Sequence, residues 1–179
     1  NIQGLVAAFP NKKVSLTSAT EDGKMMVLEV TSANDPRTFY LFDTEKKQVG
    51  FLLDAAPWLA NKDKLPQTQS ITYKARDGQE IVALLTLPHG QEAKNLPLIL
   101  MPHGGPHGIR DSMGTIEEDA KVLAANGYAV LQPNFRGSGG FGKAFLTAGY
   151  KKWGTLMIDD MTDGVRHVIA QGIADECRV

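Results

Sequence analysis

Leu96–Met101 is an unbroken apolar run that ends in Pro102-His103-Gly104-Gly105-Pro106. Such a run reads as a strand buried on both faces, so the chain must supply covering layers above and below it. Tyr128-Ala129-Val130-Leu131-Gln132 is a second buried strand, and a glycine-rich loop from Asn134 to Gly142 follows it. Ile116–Asn126, closed by Gly127, reads as the helix between the two strands. In Leu156–Gln171 the spacing places Ile158, Met161, Val165 and Val168 on one helical face, with Gly172 as the stop. A hairpin leads into this series: Ile71–Ala75 and Ile81–Leu87 flank Arg76-Asp77-Gly78-Gln79. Hairpin, then strand–helix–strand–helix, predicts an α/β sheet that becomes parallel, with a further strand starting at Arg178.

The first 54 residues carry a different pattern. Val14–Thr20 and Lys24–Thr31 flank Glu21-Asp22-Gly23, a strong hairpin signal. Asn34-Asp35-Pro36 turns into Thr38–Phe42, and Thr44-Glu45-Lys46-Lys47 turns into Gln48–Leu53. A meander of about four strands is the size of one propeller blade. One blade cannot bury its faces alone, so it is expected to be part of something larger. Residues 55–69, with two prolines and a polar run, read as a linker. The expected organisation is 1–54 as blade-like β structure, 55–69 as linker, and 70–179 as an α/β unit.

The totals exclude some functions. A net charge of −1 gives no case for nucleic acid as a partner. No apolar run approaches the roughly 20 residues that span a bilayer. The single Cys177 excludes an internal disulfide and leans towards a reducing compartment, hence a cytoplasmic location with a periplasmic one as the alternative. The start, Asn1-Ile2-Gln3-Gly4, has neither Met nor a signal pattern; the natural N-terminus is expected to lie upstream. No cofactor or metal is expected.

Several segments together resemble the prolyl oligopeptidase family of serine peptidases, especially its acylaminoacyl-peptidase and dipeptidyl-aminopeptidase-like branch. They are Tyr73-Lys74-Ala75-Arg76-Asp77-Gly78, Leu98–Pro106 with His107, Arg110-Asp111-Ser112, Asn134–Gly142, and Gly172-Ile173-Ala174-Asp175. The resemblance implies an N-terminal β-propeller over an α/β-hydrolase domain, the chain holding the propeller's end and the first half of the hydrolase sheet. It implies hydrolysis of short peptides near their N-terminus through a serine acyl-enzyme. No Gly-x-Ser-x-Gly occurs in the 179 residues, and the resemblance puts the family's Ser, Asp and His beyond Val179. The chain alone is expected to be inactive. A homo-oligomer, or pairing with the missing half of the hydrolase domain, is the expected mode of association.

Within that resemblance the backbone N–H of Gly105 is the expected oxyanion-hole donor, with Gly104 shaping the turn and His103 orienting it through a side-chain hydrogen bond. Arg136 is expected to hold the oxyanion loop, with substrate contact as the alternative. Arg110 is open between loop support and substrate contact, and it forms a local pair with Asp111 in this reading. His107 reads as a surface histidine, and Trp58 and Trp153 as core or domain-interface anchors. Ser138, in Gly137-Ser138-Gly139-Gly140, mimics a nucleophile, but position 136 is Arg where the tight strand-to-helix turn needs Gly. Asp159, Asp163 and His167, at i, i+4 and i+8, stack along one helix and cannot converge on Ser138; they read as an exposed acidic face with an Asp163–His167 pair rather than a metal site. Two rival readings stay open. One is a carboxylesterase-like α/β-hydrolase, which shares the His-Gly-Gly device. The other is a non-catalytic α/β binding module ending near Val179.

Overall fold

Both Asp-Gly turns close hairpins in the structure, a computed structural model that describes residues 2–57, 64–114 and 117–179. The chain divides into two units, 1–63 with 113–117, and 64–112 with 118–179.

In the first unit a short helix α1 (Ile2–Ala8) precedes four strands: β1 (Lys13–Ala19), β2 (Met25–Ser32), β3 (Asp35–Asp43) and β4 (Gln48–Asp54). They form one antiparallel sheet in chain order, β1-β2-β3-β4. The meander is as expected, whereas α1 replaces the strand character expected from residue 1. Side chains set the turns. Thr20 Oγ1 donates to Asp22 Oδ1 at 2.7 Å, and the Asp43 carboxylate accepts from the Glu45 and Lys46 N–H groups. Leu28, Val30 and Ala33 form the buried centre of this unit, while β4 leaves Phe51, Leu52 and Leu53 exposed on the sheet edge.

The second unit is α/β. Its strands are β5 (Gln67–Lys74), β6 (Glu80–Leu87), β7 (Leu98–Leu100) and β8 (Ala129–Pro133). The sheet order is β5-β6-β8-β7; β6 runs antiparallel to β5 and β8, and β7 and β8 are parallel. All five residues of β8 are buried, which accounts for the apolar run Ala129–Leu131, with Gln132 a buried polar residue after it. Helices α2 (Glu118–Ala125) and α4 (Leu156–Ala170) both pack against β8, and a short α3 (Lys143–Ala148) lies between β8 and α4 in the chain. The core joins Tyr73, Ile81, Leu85, Leu96, Leu131 and Val168.

Several boundaries differ from expectation. β5 begins at Gln67, so residues 67–69 belong to the sheet rather than to the linker. Positions 58–63 of that linker, Trp58 included, and Ile116 of the expected helix lie outside the described residues. α3 was not foreseen, because six residues are too few for a helical period to show. On α4 the buried residues are Met157, Asp160, Met161, Asp163, Gly164 and Val168, and Ile158 is 48% exposed. The helix is rotated from the expected face because it buries two carboxylates that have arginine partners. After α4 the chain returns beside β7: Asp175 N–H donates to the Leu96 carbonyl at 2.9 Å, and Leu98 N–H donates to the Arg178 carbonyl at 2.8 Å.

Candidate active site

β7 and β8 end side by side, and their two glycine loops are joined by a dense set of hydrogen bonds. Gly108 N–H donates to the Gly137 carbonyl at 3.0 Å, and Gly139 N–H donates to the Ile109 carbonyl at 2.9 Å. Asn134 acts from the end of β8 as a two-way clamp. Its Oδ1 accepts from Asp111 N–H at 2.8 Å, and its Nδ2 donates to the Asp111 carbonyl at 3.1 Å. A side chain at position 139 would run into the Gly108 carbonyl, so only glycine permits this approach.

The His103–Pro106 turn sits on this base. Gly105 adopts φ +126°, a region that side chains disfavour, and the Gly105–Pro106 peptide is cis. Gly104 has open space around it. The His103 ring stacks on Phe135, with centroids 4.6 Å apart and planes 17° from parallel. Its Nε2 lies 2.7 Å from Ser138 Oγ and its Nδ1 lies 2.9 Å from the Gly104 carbonyl. Ser138 Oγ also lies 2.7 Å from the Phe135 carbonyl. Ser138 is fully buried, which removes it from contact with any substrate.

Arg136 is 7% exposed, too buried to meet a substrate. Its guanidinium grips Asp160 through Nε and Nη2, at 2.9 and 2.6 Å, and its Nη1 reaches Asp77 at 2.5 Å. Its backbone N–H also donates to Asp160 Oδ2 at 2.9 Å. Arg136 therefore ties its own loop to α4 and to the β5–β6 hairpin, and its side-chain partners lie there rather than in the His103–Pro106 turn. A second crossing runs parallel to it: Arg76 pairs with Asp163 at 2.9 Å and with Asp159 at 2.7 Å. Tyr73 completes the set by donating its hydroxyl to the Asp160 carbonyl at 2.7 Å. The hydrogen bond from Arg136 holds the Asp77 carboxyl below the usual carboxylate range, and that from Arg76 does the same for Asp163. Burial, reinforced by the charges of Asp160 and Asp163, pushes the Tyr73 hydroxyl well above its ordinary value.

The expected Asp163–His167 pair is not formed. Asp163 accepts from Arg76 and Arg166, and the His167 ring stacks on Tyr73 with centroids 5.9 Å apart. Nor do Arg110 and Asp111 pair as expected: the Arg110 guanidinium lies over the Phe141 ring, 5.8 Å from its centroid. Asp111 instead turns inward, where burial raises its carboxyl, partly offset by nearby His103 and by a hydrogen bond from Gln132. Trp153 is 63% exposed and not in the core of its unit; its indole N–H donates to His107 Nε2 at 3.0 Å. Among the described residues no cluster of His, Cys, Asp or Glu is arranged to hold a metal ion, and no helix is long and apolar enough to cross a membrane.

Sequence reasoning missed Asp160. The signal was present in the doublet Asp159-Asp160, because residue 160 falls on the same face as Met157, Met161, Gly164 and Val168. A carboxylate on a buried stripe calls for a cationic partner.

Residues 115–179 match the prolyl oligopeptidase family profile. Over 173 residues the chain is 37% identical to dipeptidyl aminopeptidase BIII of Pseudoxanthomonas mexicana, covering 93% of this chain and 25% of that one. It is similar in structure to a puromycin-hydrolyzing peptidase of Mycobacterium tuberculosis, with a TM-score of 0.75, 23% identity, and coverage of 92% and 25% of the two chains. The acylaminoacyl peptidase of Pyrococcus horikoshii superposes with a TM-score of 0.69 at 22% identity, over 90% and 25% of the two chains. The chain spans about a quarter of the length of the curated relatives it matches.

Proposed function

Since this chain belongs to the prolyl oligopeptidase family, we propose that it is a portion of a serine peptidase that cleaves short peptides near their N-terminus. The first unit is read as the last blade of a β-propeller, and the second as the first half of an α/β-hydrolase sheet. Gly105 N–H stabilises the oxyanion of the tetrahedral intermediate, and the nucleophile and its acid and base come from elsewhere in the whole protein.

The supporting observation is the backbone at the end of β7. A glycine at φ +126° follows β7, of whose three residues Leu98 is buried and Ile99 and Leu100 are half-buried, and the turn it belongs to is braced by the loop after β8. Rigid placement of a bare N–H is what oxyanion stabilisation requires, because the donor must be aimed at charge that exists only in the transition state. Elsewhere in the loops, the residues with nucleophilic side chains do not favour a site of their own. Ser138 is sealed, and the exposed Cys177 donates its backbone N–H to Asp175 Oδ1 at 2.9 Å beside the start of β7, the opposite end from the His103–Pro106 turn.

The test uses the full-length protein that carries this segment. A fluorophosphonate probe should label one serine outside residues 1–179, and an aminoacyl-nitroanilide should be hydrolysed. Absence of any labelled serine together with no turnover would reject the peptidase reading. Labelling at Ser138 would reject the assignment of the nucleophile.

A further inference from the structure

Ser138 looks like a nucleophile in sequence and cannot be one in the structure, yet it is fully buried, polar and bonded on both sides. Its oxygen lies 2.7 Å from both the Phe135 carbonyl and His103 Nε2, and that carbonyl already accepts Ser138 N–H at 3.0 Å. When the hydroxyl donates to Nε2, the ring proton sits on Nδ1 and is donated to the Gly104 carbonyl at 2.9 Å. The relay starts from a buried residue. Phe135 lies two residues past the end of β8 and is 2% exposed, and its ring backs the His103 imidazole. On the other side, His103 Nδ1 meets the carbonyl of Gly104, the peptide whose N–H half belongs to Gly105.

We infer that Ser138 is a positioning residue for the oxyanion turn: through His103 it sets the plane of the Gly104–Gly105 peptide, and so the direction of the Gly105 N–H. This rests on the peptidase reading above. The geometry explains why a hydroxyl is needed at 138. Alanine would leave His103 Nε2 without its donor, and the stacked ring would be free to pivot on Phe135. Glycine is intrinsically mobile, and Gly104 has no neighbour within 4 Å of where a side chain would sit, so on the Gly104 side little else restrains that peptide, while Gly105 packs against Ile109. A turn that samples other orientations binds substrate nearly as before and stabilises the transition state less, which lowers kcat rather than raising KM.

The experiment compares the full-length wild-type protein with Ser138→Ala, Ser138→Cys, His103→Phe and the Ser138→Ala/His103→Phe pair. His103→Phe keeps the stacking and removes both ring nitrogens. Three readouts are taken: kcat and KM on an aminoacyl-nitroanilide, the thermal midpoint, and amide exchange by mass spectrometry. Ser138→Ala should lower kcat about 10- to 100-fold with KM within about twofold. Ser138→Cys should recover part of this loss. The double variant should be no worse than the poorer single one, because both act through one bond. Exchange should quicken about tenfold in residues 103–108 and stay unchanged elsewhere.

An unchanged kcat would overturn the inference. So would multiplicative losses in the double variant, or a fall in kcat that tracks a fall in thermal midpoint with faster exchange throughout. If wild type itself shows neither turnover nor a reactive serine, the peptidase reading fails first, and Ser138 is then a brace without a catalytic consequence.

Discussion

Arg136 and Asp160 form a buried pair in which the arginine is held by the same carboxylate through its Nε, its Nη2 and its backbone N–H. Their side chains are 9% and 0% exposed. Removing one charge would strand the other away from water. Asp160→Asn is therefore expected to cost about 3–5 kcal/mol, towards the lower end because Asp77 still holds Nη1. Asp159→Ala, at a half-exposed pair, should cost less than about 1 kcal/mol. Urea unfolding of the two variants checks this; equal losses would mean that burial does not govern the network.

Gly105 and Gly104 are adjacent but not equivalent. A Cβ on residue 105 would sit 2.8 Å from Ile109 Cγ1 and would force a side chain to φ +126°, whereas residue 104 has open space. Gly105→Ala in the full-length protein should lower kcat about 100-fold or more through the displaced donor. Gly104→Ala should lower it less than about fivefold, the peptide plane being kept. Steady-state kinetics on a peptide anilide decides between them.

Gly139 lets the loop after β8 touch the loop after β7. Its missing side chain faces the Gly108 carbonyl, and backbone cannot step aside as the tip of a side chain can. Gly139→Ala should destabilise by about 1–3 kcal/mol and speed amide exchange at Gly108. Gly154→Ala, with nothing nearby, should change neither.

The pH dependence of stability should have a distinct slope at each end. Asp77 and Asp163 are held below the usual carboxylate range by hydrogen bonds from Arg136 and Arg76. Their contribution is complete above the unfolded value of about 4 and is lost as pH falls through the folded values. At the alkaline end, burial pushes Lys121 down to about 8, where it donates to the Pro66 carbonyl. Between there and about 10.4 the unfolded chain holds more of that proton, so this group makes stability rise with pH. Tyr73, raised by burial, acts oppositely from about pH 10 upward. Denaturation from pH 7 to 10 should show the upward slope in wild type and a flatter one in Lys121→Met.

The strands were legible because burial on both faces leaves an apolar run, as at Ala129–Leu131, and because Asp-Gly at 22–23 and 77–78 marks hairpins by local backbone preference. The helix spacing in 156–171 was legible too, but its orientation was not. Ile158 reads as core by hydropathy, yet it is exposed, because Asp160 and Asp163 are drawn inward by arginines that lie 24 and 87 residues away in the chain. Helix α3 was hidden by its shortness.

The same division holds at the site. Local chemistry alone determined that the chain turns on glycines after each buried strand, and that the residues available there are His103, Ser138 and Arg136. What each one does was decided by the tertiary structure. Arg136 already sets Ser138 apart from a nucleophile along the chain, but only what covers Ser138 shows it sealed, and Arg136 is told from a substrate clamp by the positions of Asp160 and Asp77. Pairing across such distances depends on how β8 and α4 pack. No spacing along the sequence encodes that, since hydrogen bonds and burial are properties of proximity in space.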